Sequence, residues 1–306
     1  MARPDPAPPG ASPPSPTPAN HQPAFAFALI GDVPYTPDQE PRLKALIDQI
    51  NADRQIAFTI HDGDIKGGGQ RCDNAVYQRE LQRFSTFRKA LVYTPGDNEW
   101  TDCVRGPAGR YDAWERLAHL RKTFFLEPSR SLGQEPIQLE HQGPAYPENA
   151  RWQRDRITFA TLHVVGSNNN RPSSLVRSGD EQEFRARNAA NLEWLRSTFQ
   201  AATEGQSAGV VLVMQANMLE GNLSVPSGFD ELVTALREEV ERFAKPVVLV
   251  HGDTHFFRID QPRLGAGPLL ENLTRVETFG DPDVGWVKVT VDPSSDEVFR
   301  FEEHAL

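Results

Sequence analysis

The sequence predicts an α/β protein in which two β-sheets pack face to face with helices on the outside. Three observations carry that expectation. Short apolar runs, of the length of buried strands, alternate with segments of helical periodicity through most of the chain. Four of these runs close on Gly-Asp, at Asp32, Asp64, Asp97 and Asp253. The end of the chain changes to apolar–polar alternation broken by Gly-Asp-Pro-Asp and Asp-Pro-Ser-Ser-Asp turns, the pattern of an antiparallel meander.

In order, the first strand is expected over residues 24–31, closing on Asp32-Val-Pro-Tyr35. Thr36-Pro-Asp-Gln39 resembles a capping box, with Pro41 moving the regular helix slightly later. Leu43, Leu46, Ile47 and Ile50 then keep the i, i+3, i+4, i+7 spacing of a helix with one buried face. A second strand over 56–60 ends in His61-Asp-Gly-Asp64 and a triple glycine. Residues 73–89 read as a helix with Tyr77, Leu81, Phe84 and Phe87 on its apolar side. Strand 91–94 leads to Gly96-Asp-Asn-Glu-Trp100, and a helix around 109–124 is marked by Trp114, Leu117, Leu120 and Phe124.

Residues 126–155 lack periodicity and read as a long surface excursion, a type of loop that is often functional. A strand over 157–165 follows, then Gly166-Ser-Asn-Asn-Asn170, and Ser178-x-x-Glu181 reads as the capping box of a helix near 180–203. Val210–Met214 is a short buried strand running into Gln215-Ala-Asn217. A helix over 229–243 and a strand over 246–250 come next, and the meander takes 272–279, 285–291 and 298–302. No internal boundary or repeat stands out, so residues 24–306 read as one domain.

A formal charge of −10 excludes a nucleic-acid-coating surface and a polybasic membrane patch, and no apolar run is long enough for a transmembrane helix. Residues 1–23 carry nine prolines and no apolar h-region, so they read as a disordered Pro-rich linker rather than a signal peptide. Such linkers commonly follow an export signal or a lipid anchor. Cys72 and Cys103 each lie just beyond a Gly-Asp strand end, on loops expected to be neighbours. Bridged, they imply a periplasmic or secreted protein; the other reading is two buried thiols in a cytosolic one. Nothing in the pattern assigns an oligomeric state.

A carboxylate at the carboxyl end of a buried strand, on a loop freed by glycine, stands where α/β proteins place ligand-binding groups. Four such strand ends would bring four carboxylates to one rim, and that much negative charge calls for a cation. Here the order and surroundings of the motifs resemble the calcineurin-like metallophosphoesterases. The motifs are Gly31-Asp-Val-Pro34, Gly63-Asp64, Gly96-Asp-Asn-Glu99, Met214-Gln215 and Gly252-Asp-Thr-His255. The resemblance runs from residue 24 to the end of the meander. It implies a four-layer α/β/β/α sandwich of two mixed sheets flanked by helices, and two divalent ions bridged by a shared aspartate.

Carried over position by position, the resemblance gives one metal Asp32, Asp64 and His255, with Pro34 in the place of a histidine and Tyr35 or water in the vacancy. It gives the second metal Asp64, Asp97, Gln215 and Asp253. That set is all oxygen, which favours Mn²⁺, Mg²⁺ or Ca²⁺ over Zn²⁺ or Fe. Asn98 takes the position of the catalytic histidine, and it donates hydrogen bonds without delivering a proton at neutral pH. Glu99 reads as a supporting or turn residue. His61 fits a core histidine and a site residue equally well. Lys66, Arg71 and Arg105 are candidate phosphate holders, although surface charge is the commoner fate of such side chains. Asn168, Asn169 and Asn170 line the rim or form an Asx-type turn.

The implied activity is hydrolysis of a small phosphomonoester or phosphodiester by a metal-activated water. The competing reading is a catalytically weak, metal-binding relative that binds a phosphorylated ligand. A third is a surface protein whose Gly-Asp turns are only structural.

Overall fold

The computed structural model of the protein describes Met1 and residues 25–174, 176, 178–219 and 227–306. The expected linker over residues 1–23 lies, Met1 apart, outside the described residues.

Five strands make the first sheet, in the order β12-β11-β1-β2-β3. Strands β1 (Phe25–Ile30), β2 (Ile56–His61) and β3 (Ala90–Tyr93) run parallel; β11 (Gly285–Val291) is antiparallel to β1, and β12 (Phe299–Ala305) to β11. The second sheet has the order β4-β5-β6-β7-β8-β10-β9. Its parallel centre is β6 (Ile157–Thr161), β7 (Gly209–Val213), β8 (Val247–His251) and β10 (Leu273–Glu277). The antiparallel margins are β4 (Glu140–His141), β5 (Ala150–Arg154) and β9 (Arg258–Asp260).

Every residue of β1 is buried, because both of its faces are covered. Ala26, Ala28 and Ile30 point towards α1 (Gln39–Ala52), α2 (Asn74–Phe84) and α3 (Ala113–Phe124), while Phe25, Phe27 and Leu29 point into the layer between the sheets. There Phe27 stacks on Phe58 at 5.3 Å between ring centres, and Phe159 of the opposite sheet meets Phe58 edge-on at 5.1 Å. Beyond the second sheet, α5 (Glu181–Glu204) and α6 (Asp230–Phe243) close the fourth layer through Trp194, Leu195, Phe199, Leu236 and Val240. The expected four-layer α/β/β/α sandwich of two mixed sheets is the observed fold. No helix among the described residues is long and apolar enough to cross a membrane.

The structure corrects five local expectations, the first being the Thr36–Gln39 capping box: α1 begins at Gln39, ahead of Pro41, behind Asp38, whose side chain makes no cap hydrogen bond. The final meander is not one unit: β10 joins the second sheet parallel to β8, while β11 and β12 join the first. Alternating burial reports that a strand has a covered face, not which sheet covers it. The excursion over 126–155 contains β5, which pairs with β6; only Ala150 and Trp152 of its five residues are buried, too few to show a period. The cap of α5 is Asp180, whose side chain accepts from the N–H of Gln182 and Glu183, rather than Ser178. Trp114 is half exposed and donates to Asp180 Oδ2 instead of marking the buried side of α3. Cys72 and Cys103 are joined as a disulfide with Cα atoms 5.8 Å apart.

Candidate functional site

The loops after β1, β2, β3, β7 and β8 meet at one edge of the sandwich and bring the sequence-predicted residues together. Asp253 N–H donates to Asp32 Oδ2 (3.1 Å), Asn98 N–H to Asp64 Oδ1 (3.1 Å) and Gln215 Nε2 to Asp64 Oδ2 (3.3 Å). Asp32, Asp64 and Asp253 have φ of 48°, 56° and 78°, a left-handed backbone that aspartate tolerates better than most residues. Such conformations persist only where the surroundings over-determine them, as at functional sites. His255 shares the left-handed region at 58°.

Three of the four Gly-Asp glycines clear room for the carboxyl of a different motif, and the fourth, Gly63, for the Gln215 side chain and the Gly96 backbone. A Cβ at Gly31 would stand 1.5 Å from Asp62 Oδ1, one at Gly96 2.0 Å from Asp64 Oδ1, and one at Gly252 1.8 Å from Asp32 Oδ2. The motifs are therefore interlocked.

Tyr35 sends its hydroxyl into the middle of the rim. It lies 2.8 Å from Asp64 Oδ2, 3.1 Å from Asp32 Oδ1, 3.2 Å from His255 Nε2 and 3.0 Å from Asn98 Nδ2. Asn98 Nδ2 also donates to Asp64 Oδ2 at 2.7 Å. The Asp281 carbonyl, 2.9 Å from His255 Nδ1, can only accept, so it fixes the proton on Nδ1 and turns Nε2 inwards.

On the other side, Gln215 Nε2 faces Asp64 and Asp253, and its Oε1 accepts from Gly166 N–H at 2.6 Å. Gly166 opens α4 (Gly166–Asn169), a single turn whose Ser167, Asn168 and Asn169, with Asn170 after it, all have φ between 50° and 59°. This turn aims Ser167 Oγ at Asp97 Oδ2 (2.7 Å) and Asp102 Oδ1 (2.9 Å). Arg187, fully buried, holds the turn through Asn169 Oδ1 and its carbonyl. The three asparagines thus build the turn: Asn168 binds the Arg171 carbonyl and Asn170 binds Glu183.

Crowded carboxyls dominate the electrostatics. Burial, then the charges of Asp97, Glu99 and Asp32, push Asp64 well above the usual carboxylate range. Burial raises Asp97 likewise, and burial together with Asp97 and Asp32 lifts Asp253 to about 8. Asp102 is carried to about 7 by burial and by Asp97. Lys66 is buried within reach of Glu99, Asp64 and Asp102, and desolvation lowers its proton affinity.

The two halves of the rim differ in how well they suit a cation. The point on which Asp32, Asp64 and His255 converge is filled by Tyr35 Oη, so that half does not fit a metal ion. Among the described residues no group of three or more His, Cys, Asp and Glu side chains is arranged to hold one. Asp97 Oδ2 and Asp253 Oδ1 do form a pair: a Cβ on Gly166 would stand 2.8 Å from the first and 2.6 Å from the second. The absent side chain leaves a cradle between the buried carboxyl of Asp97 and the half-buried one of Asp253, both of raised proton affinity. Two carboxylates, completed by water and substrate oxygens, suit Mg²⁺-like ions. Gln215 presents nitrogen, not oxygen, to this half, which argues against its expected role as a ligand.

The remaining candidates separate cleanly. His61 is a core residue: it packs on Phe84 and Tyr93, accepts from Gly63 N–H, and burial lowers its pKa to about 3. Glu99 is a support, accepting from Ile65 N–H at 2.9 Å and the Tyr93 hydroxyl at 3.0 Å. Lys66 is buried rather than on the surface, because the acidic loops close over it. Arg71 pairs with Asp73 away from the rim. Arg105 stays at the mouth, bonded to Ser167 Oγ at 3.0 Å and Asp102 Oδ2 at 2.5 Å. Sequence reasoning missed Asp62, Ser167 and Asp102; the only prior signal for Ser167 was the Gly-Ser-Asn-Asn-Asn run after a strand.

The family model described as calcineurin-like phosphoesterase matches residues 25–257. No curated protein matches the sequence. Among solved structures, one described as GAP50, the anchor in the inner membrane complex of Plasmodium, superposes with a TM-score of 0.52 at 11% identity, covering 92% of this chain and 89% of that one. Vps29 of Chaetomium thermophilum aligns with a TM-score of 0.32 at 10% identity, covering 92% and 95%. The first of these likenesses is one of fold.

Proposed function

We propose, from the premise that this chain belongs to the calcineurin-like phosphoesterase family, that it is a metal-dependent hydrolase of a small phosphomonoester or phosphodiester working at a reduced site. The observation that carries this reading is the Asp97–Asp253 pair facing across the bare Cα of Gly166. Mn²⁺, Mg²⁺ or Ca²⁺ suits such an oxygen set better than Zn²⁺ or Fe. A divalent ion held there would lower the pKa of a water and neutralise phosphoryl oxygens.

The chain's own residues do the rest. Ser167 holds Asp97 in orientation, and Asn217 N–H does the same for Asp253 Oδ2 at 3.1 Å. Arg105 at the mouth takes a phosphate oxygen through its guanidinium. Asn98 lies beside it, both flanking Gly68, and supplies a hydrogen bond but no proton. Turnover is then confined to substrates whose leaving group departs without help. The Cys72–Cys103 disulfide supports an oxidising compartment, periplasmic or secreted.

A second reading, a catalytically weak relative that binds a phosphorylated ligand, is favoured by Asn98 in place of a proton donor. Hydrolysis of p-nitrophenyl phosphate and bis(p-nitrophenyl) phosphate under Mn²⁺, Mg²⁺ and Ca²⁺, compared with Asp97→Asn, separates the two. Ion-dependent turnover lost in the variant supports the hydrolase; no turnover above the variant with any ion leaves the binding reading.

A further inference from the structure

The Tyr35 hydroxyl sits where four unrelated segments of chain point polar atoms at one position: Asp32 from the β1 loop, Asp64 from the β2 loop, Asn98 from the β3 loop and His255 from the β8 loop. All four contacts fall between 2.8 and 3.2 Å. A hydroxyl has one proton and two lone pairs, so it donates to one carboxylate and accepts from the Asn98 amide. With the Nδ1 proton of His255 committed to the Asp281 carbonyl, the ring turns Nε2, the nitrogen that binds a metal once it carries no proton, towards this position and Asp32. These are the contacts of a cation's surroundings, made by a side chain.

Tyr35 is locked in this pose. Its N–H donates to Gln39 Oε1 at 2.6 Å, and Gln39, itself buried, uses its amide nitrogen to hold Asp281 Oδ1 at 2.6 Å. Gln39 thereby fixes both the tyrosine and the residue whose carbonyl sets the His255 tautomer. The ring lies edge-on to His255, with centres 5.0 Å apart, and packs on Gly67, where a Cβ would stand 3.3 Å from it.

We propose that the Tyr35 hydroxyl stands in for one of two cations, so that this protein takes a single divalent ion, at Asp97 and Asp253, and stabilises the other half of its rim with its own hydroxyl. The count of one rests on the hydrolase reading; the stand-in does not. Removing the phenol ring leaves Asp32, Asp64 and His255 facing one gap with the tautomer already set, and turns that gap into a second cation site.

The test is titration of metal-free protein with Mn²⁺, followed by electron paramagnetic resonance and elemental analysis, for the wild type and Tyr35→Ala, with thermal melts confirming that each is folded. The wild type is expected to saturate at one ion per chain with the six-line signal of isolated Mn²⁺. Tyr35→Ala is expected to take two, with the broadened signal of an exchange-coupled pair. A coupled pair in the wild type overturns the inference without any variant, and so does a folded Tyr35→Ala that gains no ion. No ion in the wild type and one in Tyr35→Ala uphold the stand-in while removing the cation at Asp97 and Asp253.

Discussion

Gly96 is pressed against Asp64: a Cβ at Gly96 would lie 2.0 Å from Asp64 Oδ1 and 2.8 Å from Asp64 N. The backbone contact means the clash cannot be relieved by swinging the carboxyl alone. Gly96→Ala is therefore expected to cost about 1–3 kcal/mol of stability, in the range of overpacked core sites. It should also displace Asp64 from Asn98 and Tyr35. Urea denaturation measures the first effect. Asp97 follows Gly96 directly and would move with it, so Mn²⁺ affinity should also fall at least about tenfold, equivalent to about 1.4 kcal/mol. Unchanged stability and affinity would sink the interlocked-motif account.

Asn98 offers the sharpest gain-of-function test. Its amide nitrogen binds Asp64 Oδ2 and Tyr35 Oη, and nothing at this position delivers a proton. If the hydrolase reading holds, Asn98→His should raise kcat, towards the lower end of the roughly 10²–10⁴-fold supplied by a positioned acid. The gain should be larger for phenyl phosphate than for p-nitrophenyl phosphate, whose leaving group needs less help. Equal gains on both substrates would show that the histidine acts by something other than protonation.

The disulfide bears on the same loop. Cys72 Sγ and Cys103 Sγ each lie 3.6 Å from the Asn98 carbonyl oxygen, and Tyr77 donates to the Glu99 carbonyl at 2.7 Å. Closing a loop with a sequence separation of 31 is worth about 3–4 kcal/mol on the chain-entropy model. The double variant Cys72→Ser, Cys103→Ser should lose about that much in urea unfolding. Protein left at full stability by the exchange would show that packing alone holds these loops.

How far the sequence revealed the site follows from the range of each signal. Gly31-Asp32, Gly63-Asp64, Gly96-Asp97 and Gly252-Asp253 were legible because a strand end, a glycine and a carboxylate are all local features. Which partner each glycine makes room for is a matter of segments far apart, and no local pattern carries it. Lys66 looked like surface charge because lysine normally is; its burial comes from acidic loops that only the assembled edge brings together. Tyr35 or water was legible as what fills the vacancy beside Pro34, but the locked pose of Tyr35 at the centre of the rim depends on Gln39 and Asp281, which the sequence separates widely. The strand at 273–277 read correctly as a strand and wrongly as part of a meander, since periodicity does not name a pairing partner.

Away from the carboxylate rim, Glu148 makes an acid-stability prediction. It is fully buried, 2.6 Å from Arg121 Nη2 and 2.7 Å from His163 Nδ1. Although burial opposes its charge, the His163 and Arg121 partners hold the carboxyl down to about 2. Burial lowers His163 as well, so Arg121 is the standing positive charge and the imidazole contributes its Nδ1–H. A carboxylate with a depressed folded pKa gives stability that is full above its unfolded value of about 4.3 and lost as pH falls towards the folded value. Between those limits the unfolded chain binds the extra proton, so unfolding free energy should decrease on acidification by about 3 kcal/mol from this group. Glu148→Gln should flatten that part of the profile, and it should cost about 3–5 kcal/mol at neutral pH by leaving Arg121 without its buried partner. Unfolding midpoints measured from pH 7 down to pH 3 for both proteins give the comparison. Parallel profiles would mean that Glu148 is not the group being titrated.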